Sequence, residues 1–263
     1  MNTCLSLAVF CLIIGRVAAQ EIIATIPFGD EIESATVDRP GDFYVLTQNG
    51  QIHKVDKDGN LIVLYSKDQL PTLFDPRDGA RLFAFYREDQ RYDHLKPSFE
   101  IVSSYRIDPA FAIEPWLVCP SGEHKLWLLD AADNSLKKLN APHTEIEVEV
   151  VIDSSIVDNA TAFTFLRDYQ SFVFGLDPRR GILIFNTLGK HLRTIAAPGI
   201  RHFHFLGEEL YYYRDGNLHL FDLFTGETRT LPVGKAADDV IITDDRMLLV
   251  RGRTVEIYAF DPH

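Results

Sequence analysis

One pattern recurs six times along this chain: an apolar strand, a polar turn, a second apolar strand closing on a polar residue, and another turn. It reads DFYVLTQNGQIHKVDKDG from Asp42, KLWLLDAADNSLKKLNAP from Lys125 and SFVFGLDPRRGILIFNTLGK from Ser171. It returns as ELYYYRDGNLHLFDLFTGE from Glu209 and RMLLVRGRTVEIYAFDP from Arg246, with a weaker copy, ARLFAFYREDQRYDHLKPS, from Ala80. Short runs rich in Phe, Tyr, Val, Ile and Leu, punctuated by Asp-Gly, Asn-Gly and Asp-Pro, are strand and turn signals, and no stretch carries a helical period. The copies start near residues 42, 80, 125, 171, 209 and 246. Intervals of 37 to 46 residues are those of a propeller blade, four antiparallel strands named A to D from the axis outward.

The two ends of the pattern complement each other. In the first blade the strands read as Ser34–Val37, Phe43–Gln48, Gln51–Val55 and Leu61–Tyr65. The last blade has an A strand at Val240–Thr243, B at Met247–Val250 and C at Val255–Phe260, and then the chain stops one strand short. An unassigned strand, Glu21–Pro27, stands at the other end. Pairing it with the last blade closes a ring and leaves no open sheet edge there. The sequence therefore predicts an all-β, six-bladed β-propeller closed by its N-terminal strand. A β-sandwich of this length would not explain a sixfold repeat with complementary ends.

The first residues carry an export signal rather than structure. Leu5–Ile14 is an uncharged apolar run too short for a bilayer, and Val17 and Ala19 have the small-residue spacing of a cleavage site. Cleavage is expected after Ala19, giving a signal peptide over 1–19 and one propeller domain over 20–263. Cys11 follows Phe10, so no lipid-anchor site is read. Cys4 and Cys11 leave with the signal, and the remaining Cys119 has no internal disulfide partner. A secreted domain without bridges leans toward a bacterial periplasm or surface. The formal charge of −12 becomes −13 when Arg16 is removed, which argues against nucleic acid and anionic lipid as partners.

The runs KVDKDGNLIVLYSKDQ, DP…LFAFYRE and PWLVCPSGEHKLWLLDAADNSLKKLN resemble, in this order, an uncharacterised family of exported β-propellers of Bacteroidota with NHL/TolB-like architecture. The resemblance implies a six-bladed propeller in the cell envelope and brings no catalytic residues with it. Where that family has an aliphatic core in its second blade, this chain has the more polar RYDHLKP.

No constellation for catalysis emerges. Inner strands are expected to centre on Thr36, Leu73, Leu117, Phe163, Phe203 and Ile241, none of them a hard oxygen ligand of the kind calcium needs. Nucleophile elbow, HExxH, phosphate loop and dinucleotide fingerprint are all missing. His202 and His204 in RHFHF share a strand face but lack an evident third ligand, so they read as a blade-to-blade contact. The tyrosines 211–213, with Trp116 and Trp127, are as readily consumed by blade packing as by a sugar platform. No catalytic residue, metal or cofactor is assigned.

What remains is a distribution of charge. The B–C turns hold Arg87, Arg91, Arg179, Arg180, Arg214, Arg251 and Arg253, seven of the sixteen mature arginines. The opposite face, where A–B and C–D turns emerge, collects Asp38, Asp42, Asp56, Asp58, Asp75, Asp78, Glu208, Asp244 and Asp245. Arginines gathered near an axis suit a carboxylate, a phosphate or a protein hot spot. The expectation is a non-catalytic envelope scaffold that docks a protein or an anionic surface polymer through these arginines. The alternative is a hydrolase or lyase acting on a small ester, lactone or glycan in the axial channel. An acid cluster there would favour the alternative, and an apolar, plugged channel would favour the scaffold.

Overall fold

The structure is a computed structural model that describes residues 21–67 and 69–262; the expected signal peptide lies outside the described residues. The alternating runs fold as six antiparallel sheets of four strands. Blade 1 is β2 (Ile32–Val37), β3 (Phe43–Thr47), β4 (Gln51–Val55) and β5 (Leu61–Ser66). Blade 2 is β6 (Leu73–Asp75), β7 (Leu82–Tyr86), β8 (Arg91–Leu95) and β9 (Ile101–Arg106). Blade 3 is β10 (Pro115–Pro120), β11 (Leu126–Asp130), β12 (Ser135–Leu139) and β13 (Ile146–Val151). Blade 4 is β14 (Phe165–Tyr169), β15 (Phe172–Asp177), β16 (Gly181–Phe185) and β17 (His191–Ala196). Blade 5 is β18 (His204–Leu206), β19 (Glu209–Arg214), β20 (Asn217–Asp222) and β21 (Thr228–Pro232). Blade 6 is β22 (Asp239–Ile242), β23 (Arg246–Arg251), β24 (Thr254–Ala259) and β1 (Ile22–Pro27).

The ring closes as the complementary ends require. β1 pairs antiparallel with β24 from Ile22↔Tyr258 to Pro27↔Thr254. Gly59, in the turn between β4 and β5, seats blade 1 against this added strand. Its φ is +89°, and a Cβ there would lie 2.6 Å from the Ala24 Cβ on β1, so only glycine fits.

The Asp or Asn ending each C strand earns its place in the turn that follows. Asp56 Oδ1 accepts the Asp58 and Asn60 amides at 3.0 and 2.8 Å, and Asn186 Oδ1 accepts those of Leu188 and Lys190, both at 3.0 Å. Asn140 and Asp222 do the same in blades 3 and 5. Blade 2 has Lys96 there instead. Its turn places Phe99 at φ +64°, buried and stacked 4.8 Å from the Tyr65 ring of blade 1. Packing across the seam thus holds a conformation that the other blades give to smaller or polar residues.

Burial follows position. B strands such as β3, β7 and β11 are buried along their whole length, because neighbouring blades cover both faces, and outer strands such as β5 and β13 alternate. Trp127 is fully buried in the core shared by blades 2 to 4, where a large apolar side chain contributes about 1.5–3 kcal/mol. Blade 2 is regular despite its polar RYDHLKP, and Asp93 and His94 of β8 are buried within it.

The inner strands need correcting. Thr36, Leu73, Leu117 and Ile241 lie in β2, β6, β10 and β22, but Phe163 and Phe203 precede β14 and β18. Residues bearing charge or an imidazole take their places: Arg167 and Asp168 in β14, His204 in β18. No described helix is long and apolar enough to cross a membrane.

Candidate functional site

The axis carries a polar pocket of about 770 Å³ on the A–B face, extending into the seam between blades 2 and 3. This corrects both the apolar inner-strand reading and the picture of that face as acidic. Its deepest charge is Asp75, the last residue of β6, 3% exposed. Arg77, two residues on, donates to Asp75 from its amide (3.0 Å) and its Nε (2.9 Å), with Nη2 2.6 Å from Oδ2. Across the axis stands Arg167, delivered by the β14–β15 hairpin. That hairpin turns at Gln170 and Ser171, both with positive φ, the geometry of a tight two-residue connection.

Arg167 is 6% exposed, and its Nε lies 3.8 Å from Asp75 Oδ2, beyond hydrogen-bonding distance. That Nε has no hydrogen-bond partner among the described residues. Burial, reinforced by Arg77 and opposed by Asp75, pulls the guanidinium down to about 10, still charged at neutral pH. Burial alone would raise Asp75, but Arg167 and Arg77 together hold its carboxyl far below the usual range. Asp168 is consumed locally: its Oδ2 accepts from Ser121 Oγ at 2.8 Å and Trp127 Nε1 at 3.0 Å. Asp38, at another edge, accepts the Tyr44 hydroxyl at 3.0 Å and lies 3.5 Å from Lys54.

The seam end of the pocket is built from histidines. Arg81 Nη1 lies 3.2 Å from His124 Nδ1. His143 Nε2 donates to the His124 carbonyl at 2.7 Å, so its Nδ1 accepts the Tyr92 hydroxyl at 2.6 Å. His94, 8% exposed on β8, has a buried Nδ1 without a hydrogen-bond partner. Burial first, then Arg81, His143 and His124, push it down to about 4, so it is neutral at pH 7.

A third feature is His204, whose Nε2 lies 2.9 Å from Asp239 Oδ2. Burial would raise Asp239, yet His204 and His202 bring it below its ordinary range. The partner of His204 is thus an acid of the next blade, a blade-to-blade contact. Among the described residues no three His, Cys, Asp or Glu side chains converge as a metal-holding group.

The seven predicted arginines sit at the B–C connections, and each is already engaged. Arg87 lies 3.5 Å over the Trp116 ring and donates to its carbonyl at 2.7 Å. Arg91 pairs with Asp93 and stacks on Tyr86. Arg179 and Arg180 share Asp158, each at 2.7 Å. Arg214 faces Asp215 at 3.8 Å, Arg251 meets Glu256 at 3.2 Å and Arg253 meets Glu31 at 3.0 Å. Only Arg179 and Arg180 share a partner; no acid joins these arginines across blades among the described residues.

Other singled-out residues are structural. Tyr211 is buried, donating to the Ile242 carbonyl and accepting its amide; Tyr212 stacks on His219. Cys119 is buried, and burial, then Asp168, raises its thiol far above the reactive range. Sequence reasoning placed Asp75 on the pocket's face without giving it a role, and missed Arg167, Asp168, His94 and Asp239. The available signal was the charged pair in FLRDYQS, set inside an aromatic strand directly before a turn.

No protein-family model matches the chain, and no curated protein matches it. Solved structures do. The Pan2 WD40 domain of Neurospora crassa aligns at TM-score 0.58 and 9% identity over 89% of this chain and 90% of its own. A streptogramin B lyase aligns at 0.56 and 11% identity, covering 93% and 88%. The extracellular domain of a one-component system protein of B. thetaiotaomicron aligns at 0.54 and 12% identity over 88% of this chain; the chain spans only 34% of that protein's length. At such identities the likeness is one of fold alone, a β-propeller, of which this chain has six blades.

Proposed function

We propose that this chain is an exported, non-catalytic binding propeller of the bacterial cell envelope, periplasmic or associated with the outer membrane. In this reading it serves as an accessory to outer-membrane or secretion machinery; the resemblance to Bacteroidota envelope propellers implies the envelope location. The observation that carries the reading is the state of the axial pocket. The pocket is polar and holds acids, not the apolar plug that would favour a scaffold outright. Yet Asp38, Asp75 and Asp168 are held by protein donors, leaving these carboxylates little freedom to shuttle protons. The pocket's cations are less fully engaged. The site then recognises a group on its ligand, and the B–C arginines 87, 91, 179, 180, 214, 251 and 253 form a proposed docking rim for an envelope protein or anionic polymer. Their mutual pairing makes that rim the weaker of the two contacts.

The test is affinity capture of tagged protein from its own envelope fraction. Wild type is compared with Arg180→Glu/Arg214→Glu/Arg253→Glu and, separately, with Arg39→Glu/Arg81→Glu at the pocket. Loss of one partner in the pocket variant, at unchanged melting temperature, is expected. Full recovery by both variants sinks the reading.

One observation favours catalysis instead. Asp239 holding His204 at the pocket wall is how a carboxylate orients an imidazole base. Turnover of an ester, lactone or glycan panel by the wild type, abolished in His204→Gln, would establish that alternative.

A further inference from the structure

We propose that the axial pocket is a binding site for an organic oxyanion, a carboxylate or phosphate monoester whose charged group seats against Arg167 and whose body extends toward His94. This deepens the reading of the pocket as a ligand site and rests on it.

One observation points to a missing acceptor, and a second, independent one to a missing polar partner. Arg167 is 6% exposed, its Nε is unpartnered, and Asp75 stands 3.8 Å away with both its oxygens already taken by Arg77. His94, from a different blade, is 8% exposed, and its Nδ1 is also unpartnered. Both line the same cavity. A buried polar group without a partner is costly, and a charged one more so; two such residues lining one cavity suggest what the cavity should receive.

The hydrogen-bond inventory fixes the ligand's character. Arg77 bonds Asp75 and the Asp168 carbonyl, and Asp168 has its own donors in Ser121 and Trp127. Among the polar groups deep in the pocket, the acceptors are satisfied and a donor is left over. A ligand rich in acceptors is therefore matched and a cationic one is not. Guanidinium presents a planar fork of donors, a geometry suited to carboxylate and phosphate. Arg39 and Arg81 stand further out on the same wall and supply attraction during entry.

Size and lining argue for an organic body. About 770 Å³ is well beyond the room one small ion needs and falls within the range of sites for small organic ligands. Phe83, Leu126 and Phe205 give that body apolar walls, Phe205 being fixed by stacking 4.1 Å from Tyr169. His94, neutral and against Phe83, offers the far end one polar contact.

The experiment is calorimetric titration of the full mature chain at low salt with benzoate, phenyl phosphate and inorganic phosphate, chloride at equal ionic strength serving as control. Saturable binding of benzoate or phenyl phosphate, tighter than inorganic phosphate, is expected, and which of the two binds assigns the charged group. Arg167→Gln should weaken it about tenfold to a hundredfold. Arg81→Gln, at the rim, should weaken it by a smaller factor and carries the test if Arg167→Gln does not fold. Absence of binding by every probe, or equal binding by wild type and both variants, overturns the proposal. The docking reading fails separately: hydrolysis of phenyl phosphate by the wild type would end it while leaving the oxyanion site in place. Loss of probe binding with capture intact would do the reverse.

Discussion

The B–C turns and the axial pocket both gather arginines, and they treat them differently. At the turns each guanidinium meets an acid or an aromatic ring, mostly in the open, although Arg91 reaches the buried Asp93. Arg179 is 64% exposed and its partner Asp158 48%. In the pocket the Asp75 side chain is 2% exposed and that of Arg167 7%, and the donors outnumber the acceptors that reach them. A pair in water exchanges hydration for a weak attraction, whereas a buried group has only its protein neighbours. Counting arginines along the sequence therefore finds only one of the two gatherings. Among the described residues the pocket adds unpartnered buried nitrogens on Arg167 and His94, while at the turns Arg251 alone has one.

Removing one acid from each place tests the contrast most directly, and the pocket should give the largest effect. Asp75→Ala leaves Arg77 and Arg167 without a counter-charge and should cost about 3–5 kcal/mol in denaturant unfolding. Added phosphate should recover part of that loss. A cost below about 1 kcal/mol would put Asp75 on the same footing as the surface acids.

The second test uses pH. His94 is held at about 4 in the folded chain, against about 6.5 when unfolded. Between those values the unfolded chain binds the extra proton. The stability tied to neutral His94 is therefore present in full above about pH 6.5 and is lost as pH falls toward 4. The loss is on the order of 3 kcal/mol, and His94→Phe should remove it from the difference between unfolding curves at the two ends of that window. Parallel curves for wild type and variant would show that His94 is hydrated, and so not buried in the sense argued.

The smallest effect belongs to the turns. Asp158→Ala strips Arg179 and Arg180 of the nearer of their two shared acids, leaving Asp177 at 3.8 and 3.5 Å. It should change stability by no more than about 1 kcal/mol, read as a shift in melting temperature that salt erases. A larger loss would mean that the rim is a structural network and not a solvated one.

Much of the architecture was readable from sequence because blade packing imposes it. Middle strands covered on both sides must be apolar throughout, so FYVLT and LWLLD announce themselves, and the Asp or Asn after the C strands of blades 1, 3, 4 and 5 marks the turn it caps. The N-terminal strand was found by elimination. The pocket was not readable, for the complementary reason. Strands facing a solvated axis can carry polar residues, and two of them are only three residues long, so hydrophobic periodicity has little to act on. Phe163 and Phe203 attracted the inner-strand assignment because they are apolar, and they are buried, but just ahead of the strands that carry Arg167 and His204. Polar RYDHLKP, which looked like a weak blade, contributes His94 to the pocket wall.

The pairing of β1 with β24 has a consequence in time. Ile22 and Tyr258 lie at opposite ends of the described chain, so their contact is among the last that synthesis makes available. Until Thr254–Ala259 emerges, Ile22–Pro27 has no strand beside it, and the nascent molecule is an open arc with two unpaired borders. Such long-range closure is slow compared with hairpin formation, and an arc waiting for it can recruit a second arc as readily as its own tail. The strand that completes the ring therefore sets a window of vulnerability, and how long that window stays open depends on delivery of the final blade, whatever the stability of the five already formed.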